Sequence, residues 1–215
     1  TITTPNGVGV YMSASNVTTV SYNTISSAGS SSIRVADATA KATVSNNTIT
    51  DGKEMGIYAS GSKVAINSNK ITNSANNGIY VKGGSGSIKK NTIKTTKAGS
   101  GIYLVEKAKI SEISKNKITS PKENGIYVKC STATSVLNNT VEKAGTRGIS
   151  FSGATSDKVN GNTVTSPKQD GIYVSEKSTV KVIGEKKDTG NTVTGAGANG
   201  ICLKEGTTVS KVCYN

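Results

Sequence analysis

The chain has 215 residues, enough for one large domain or two small ones, yet only 33% of them are apolar and Trp and His are both absent. With Gly, Ser, Thr and Asn filling the gaps, this composition excludes a single thick globular core and favours a thin core repeated along an axis. Lys and Arg number 26 against 13 Asp and Glu, a net charge of +13 carried almost wholly by Lys, which favours an anionic partner. Lysines scattered over loops and strand edges also oppose aggregation, so charge alone does not establish a binding role.

The repeat begins at once. "TIT" at residues 1 to 3 is a short strand with its aliphatic between two threonines, and Gly9-Val10-Tyr11 opens a second. Val20 marks a third, and three positions later Asn23 restarts the series. Aligned on the Gly-Ile step, copies begin at Gly9, Ser32, Gly56, Gly78, Gly101, Gly125, Gly148, Gly171 and Gly200, with spacings of 23, 24, 22, 23, 24, 23, 23 and 29. Asn23, Asn47, Asn69, Asn91, Asn116, Asn139, Asn162 and Asn191 keep the same beat. So do the aliphatics three positions ahead of them, Val20, Val44, Ile66, Ile88, Ile113, Val136 and Val159. Each repeat is predicted to form three short strands and three turns. The long spacing comes from "GEKKDTG", residues 184 to 190, read as a loop inserted into an otherwise regular single domain spanning 1 to 215.

Leucine-rich repeats share a period in the twenties, but they need several Leu in each copy and this chain has only Leu104, Leu137 and Leu203. Left-handed hexapeptide helices would give turns in multiples of six. An all-β, single-stranded, right-handed parallel β-helix of about nine coils remains. At about 4.8 Å per rung it would be about 43 Å long.

The repeated "N-x-I" and "G-I-Y-V" segments run through the whole chain and resemble the right-handed parallel β-helix repeats of the pectate-lyase-like superfamily. That resemblance implies a secreted or surface protein of bacteria, located outside the cell, and an Asn set stacked as a ladder, each amide bonding the next coil. Asn also tolerates the left-handed backbone such a turn demands. The fold alone does not select an activity, since it carries lyases, hydrolases, epimerases, tailspikes and inert stalks.

Strand alternation sends Tyr11, Tyr58, Tyr80, Tyr103, Tyr127 and Tyr173 outward while their aliphatic neighbours point in. In register, Tyr58, Tyr80, Tyr103 and Tyr127 should form an unbroken external stripe, interrupted or ended by Arg34, Ser150 and Cys202. Lys53, Lys97, Lys122, Lys143 and Lys168 precede these positions, and Lys82, Lys107, Lys129, Lys177 and Lys204 follow them. Aromatic rings bordered by cations suit an acidic polysaccharide, the rings meeting apolar sugar faces and the ammonium groups its acid groups. Stacked tyrosines also stabilise a sheet simply by contact. The predicted glycan-binding set is Tyr58, Tyr80, Tyr103, Tyr127, Lys82, Lys122, Lys129 and Arg147.

Catalysis has little support in the residues. There are five Asp, at 37, 51, 157, 170 and 188, all reading as turn or loop residues, and no His base. Asp170 and Glu123 share a repeat position but lie two coils apart, and Arg147 beside Lys122 and Lys168 is the one basic constellation suited to a polysaccharide lyase, the alternative reading. No cofactor, metal or catalytic residue is expected. Cys130, Cys202 and Cys213 allow at most one disulfide, of which Cys202 with Cys213 is the leading pair, though free thiols are favoured. Nucleic acid is disfavoured because such contacts lean on Arg, and Arg34 and Arg147 are the only two. Thr-x-Thr ranks hint at an ice-binding face, but Lys70, Lys94, Lys117 and Glu142 break them. No transmembrane segment is visible. The chain starts one residue after a ladder position and stops at Asn215, itself in one, so further coils or capping domains are expected on both sides.

Overall fold

A computed structural model describes residues 1 to 14, 18 to 38, 41 to 185 and 189 to 215; residues 186 to 188, including Asp188 of the inserted loop, lie outside the described residues. The chain winds right-handed into an all-β parallel solenoid of about eight turns built from three nine-stranded sheets, close to the nine coils predicted. Every pairing joins a strand to its equivalent one coil away, in parallel. Each coil contributes one strand per sheet, as in Lys70–Ser74, Ile79–Lys82 and Ser85–Lys89.

Alternation decides the core. On the Gly-Ile-Tyr sheet Ile57, Ile79, Ile102 and Ile126 are wholly buried, as are Leu104, Val128 and Phe151 two residues beyond their own sheet's leading aliphatic. Ile71, Ile93 and Ile118 enter from the Thr-rich sheet and Ile66, Ile88 and Ile113 from the third. Like side chains stack on like from coil to coil, because the registers are nearly unbroken: Ile57, Ile79 and Ile102 are direct partners. A fully buried aliphatic of this size contributes about 1.5 to 3 kcal/mol, so stability rises with each coil added.

The asparagines form the expected ladder. Asn69 donates its backbone N–H and its Nδ2 to Asn91 Oδ1 at 2.9 and 3.0 Å, and the same Nδ2 donates backwards to the Val44 carbonyl at 2.9 Å. One amide thereby joins three coils. The pattern runs from Asn23 through Asn47, Asn69, Asn91, Asn116, Asn139 and Asn162 to Asn191. Asn191 Nδ2 in turn reaches Asn215 Oδ1 at 2.7 Å, so the last residue occupies the ladder position read for it.

The backbone expectation needs one correction. The left-handed residue is the one before the ladder asparagine: Tyr22, Asn46, Ser68, Lys90, Lys115, Asn138, Gly161 and Tyr214 all have φ between 50° and 66°. The reversal there turns the following side chain into the coil, where its amide meets both neighbours.

The recurrent glycine ahead of Ile has another cause, for its φ is not left-handed. A Cβ on Gly101 would sit 2.4 Å from Ile118 Cγ2 and 2.7 Å from the Gly125 carbonyl oxygen, and Gly78 is confined the same way by Ile93. The chain bends so tightly into the coil here that the next coil leaves no room for a side chain.

Candidate functional site

Tyrosine projects outward for the reason that isoleucine projects inward. Tyr58, Tyr80, Tyr103 and Tyr127 are direct partners along the sheet. Their rings form a continuous column: Tyr58 and Tyr80 are offset-stacked at 5.5 Å, Tyr80 meets Tyr103 edge-on at 5.3 Å, and Tyr103 stacks on Tyr127 at 4.9 Å. Each ring is half-buried. Burial pushes the Tyr103 hydroxyl from 10.0 up to about 12, helped by Tyr127 and Tyr80, and Tyr80 is raised by burial and then by Glu106. At neutral pH these two phenols are therefore neutral O–H donors on an apolar column.

Arg34 and Ser150 occupy tyrosine positions, but the column survives at Arg34. In register between Tyr11 and Tyr58, its guanidinium carbon lies 5.4 Å from one ring centroid and 5.0 Å from the other. Arginine here is a rung, where the sequence suggested a break. Ser150 does leave a gap between Tyr127 and Tyr173. One turn earlier in the chain, Arg147 lies over Tyr173 at 3.7 Å with its Nε 3.4 Å from Asp170 Oδ2. Asp170 is buried and also accepts Asn199 Nδ2 at 2.8 Å. Asp170 thus balances the charge of Arg147 in place.

The predicted lysines fall on two shoulders of the column. On the side where the chain enters the strand, Lys122 borders a cleft of about 450 Å³ with Lys97, Lys143 and Lys168 and the hydroxyls of Thr95 and Ser120. Gly145 lies in this cleft at the repeat position of Lys97, Lys122 and Lys168, where a Cβ would strike the Lys122 carbonyl oxygen at 1.9 Å. That rung is consequently bare between lysine-bearing neighbours. None of these four lysines has a carboxylate partner among the described residues. On the exit side, Lys82 pairs with Glu106 at 3.3 Å, which spends part of its charge internally, whereas Lys129 makes no ion pair among the described residues. The structure therefore brings together the four tyrosines and places Lys122 and Lys129 on opposite flanks. It holds Arg147 with Tyr173, beyond the gap. The sequence signal for Arg34 was its phase in the repeat, which points it outward among tyrosines.

The remaining faces are less promising. The threonine ranks are in register, but Lys94 and Glu142 stand among them, and Lys117 pairs with Glu142 at 3.4 Å. The three cysteines are free thiols: Cys202 stands at the tyrosine position of its strand while Cys213 follows the third sheet, with its Sγ 3.1 Å from the Gly184 carbonyl. Among the described residues no three His, Cys, Asp or Glu converge on one point, and no helix is long and apolar enough to cross a membrane.

The sequence profile described as "Right handed beta helix region" matches residues 1–141 and, in a second overlapping alignment, 36–186. No curated protein matches the chain. Among solved structures, the catalytic unit of the thermostable GH87 alpha-1,3-glucanase from Streptomyces thermodiastaticus strain HF3-3 superposes with a TM-score of 0.62 at 18% identity. The superposition covers 95% of this chain and 48% of the glucanase unit, so the chain spans about half the length of that relative. At this identity the likeness is one of fold.

Proposed function

With a chain that belongs to the right-handed β-helix family as premise, we propose that it is a non-catalytic module that binds an acidic polysaccharide along its tyrosine column. The observation that carries this reading is the coincidence, on one side of the solenoid, of an unbroken four-ring column and a cleft edged by four lysines that have no carboxylate partner among the described residues. A polymer lying along the axis would meet apolar ring surface and a phenol hydroxyl at each rung, and its acid groups would lie within reach of Lys122 and Lys129. The rung spacing of about 4.8 Å is close to one sugar residue, so successive sugars could use successive coils. Such a module would work outside the cell, at a bacterial surface or in a secreted protein.

The fold shared with a glucanase catalytic unit is compatible with a carbohydrate partner, and it also keeps the second reading, a fragment of a polysaccharide lyase, in view. The pairing of Arg147 with Asp170 counts against that reading, because it commits the one arginine of the basic constellation to a structural ion pair.

Each contact is worth on the order of 1 kcal/mol, so affinity arises from several rungs and falls as salt screens the lysines. Calorimetry at low ionic strength should give binding to polygalacturonate and none to a neutral glucan. Tyr80→Ala with Tyr103→Ala should abolish the heat while leaving the circular dichroism spectrum unchanged. A folded double variant that binds as well as the parent would make the column a packing device and the domain a stalk. Release of unsaturated sugars with Ca2+ present, lost in Arg147→Ala, would instead favour the lyase.

A further inference from the structure

The two arginines stand in opposite electrostatic situations. Arg147 is neutralised by Asp170, whereas Arg34 has no carboxylate partner among the described residues. The acids nearest to it in the repeat are turned elsewhere. Asp37 directs Oδ1 at the turn of the next coil, 2.2 Å from where a Cβ on Gly61 would stand, and Glu54 accepts the hydroxyls of Ser30 and Ser31 at 2.8 and 3.3 Å. Arg34 is nevertheless held in place from both sides by Tyr11 and Tyr58, and its Nε is buried without a hydrogen-bond partner among the described residues. A charged, half-buried side chain fixed between two rings, with no carboxylate facing it among the described residues, is set up to receive an anion from outside the chain.

We infer that Arg34 is an oxyanion receptor built into the column, taking one carboxylate or sulfate-ester group of an acidic saccharide on its terminal N–H donors. Three physical features favour this. A guanidinium is planar, weakly hydrated and shaped for two-point contact with an oxyanion, which an ammonium is not. Its sandwich between aromatic rings removes rotamer freedom before the ligand arrives, so less ordering is needed on binding. The Nε of the guanidinium is also shut off from water, and the lower local dielectric strengthens its attraction to an anion. The position is informative as well: Arg34 directly adjoins Tyr58, the first ring of the four-tyrosine run. An acid group seated on Arg34 would fix the register of a chain whose following sugars pass over Tyr58, Tyr80, Tyr103 and Tyr127. This inference rests on the proposed polysaccharide track and adds to it a single anchoring position and the planar oxyanion that fits it.

The test uses side-chain 15N spectra of the full chain, titrated with galacturonate, inorganic sulfate and neutral galactose. The Arg34 Nε–H resonance should move saturably with galacturonate or with sulfate, the stronger of the two identifying the acid group, and stay still with galactose. Arg34→Tyr should extend the tyrosine column, keep the circular dichroism spectrum, and weaken binding of oligogalacturonate about tenfold or more; Arg34→Lys, keeping charge without the planar fork, should recover only part of that loss. An Arg34 resonance indifferent to both anions, or Arg34→Tyr binding the acidic oligomer as tightly as the parent, overturns the inference. Tyr80→Ala with Tyr103→Ala separates the two ideas. A saturable Arg34 shift with galacturonate in that variant, together with undiminished polymer binding, would leave the receptor standing and remove the tyrosine track.

Discussion

Tyr103 shows how a surface residue acquires a solvent-shielded character from its neighbours. One face lies against Tyr127, the Tyr80 contact closes the other side, and the resulting burial raises its hydroxyl to about 12. In the unfolded chain a tyrosine ionises near 10. The folded state therefore holds its phenolic protons longer, and the stability they contribute is fully present below about pH 10 and lost as pH climbs towards 12. Alkaline titration followed by phenolate absorbance should show late-ionising tyrosines, and the unfolding midpoint should fall across that window. In Tyr103→Phe the fall should be shallower; an unchanged slope would mean that Tyr103 is not the shielded group. Arg34 illustrates the complementary point, because nothing in its immediate sequence marks it as part of an aromatic column. The two rings that hold it lie 23 and 24 residues away along the chain and become neighbours only once coils stack in register.

At the level of the element, the ladder turn distinguishes residues that look alike in sequence. Asn46 and Asn47 are adjacent asparagines, yet Asn46 supplies a left-handed backbone and Asn47 a buried amide bonded to the coils on both sides. Asn116 is the internal example: its Nδ2 donates to the Ile88 carbonyl at 3.0 Å and to Asn139 Oδ1 at 2.9 Å, while its own Oδ1 accepts from Asn91. Asn116→Ala would leave buried donors and acceptors unpaired on both neighbouring coils. A loss of about 1 to 3 kcal/mol follows, read as a lower urea midpoint with unchanged slope. Asn23, half-buried near one end of the ladder, should tolerate the same change better, and equal losses at the two sites would show that the stacking itself contributes little.

For the whole molecule, net charge governs the response to salt. A net charge of +13 on 215 residues acts against six described ion pairs, five of them at the surface and worth at most about 1 kcal/mol each, the sixth being Arg147 with the buried Asp170. Self-repulsion should win. Raising ionic strength from about 0.01 to about 0.15 M at neutral pH, which shortens the screening length from about 30 to about 8 Å, should therefore raise the thermal midpoint. A falling midpoint would mean that the ion pairs outweigh the repulsion. The solenoid architecture itself was legible without coordinates: a beat of 22 to 24 residues, β-branched residues at fixed phases and an asparagine in each turn admit few other ways of burying so thin a core. Outward and inward faces followed from alternation, and so did the tyrosine stripe. The tertiary structure decided what those outward residues meet. It made Arg34 a rung and paired Arg147 with Asp170. It turned Glu106 onto Lys82 and, among the described residues, left Lys97, Lys122, Lys143 and Lys168 without a carboxylate partner around a bare glycine rung. The physical reason is one of range: periodicity records which way each side chain points along its own strand, whereas charge pairing and ring contact depend on side chains a full coil apart, whose approach is set only by the stacking register.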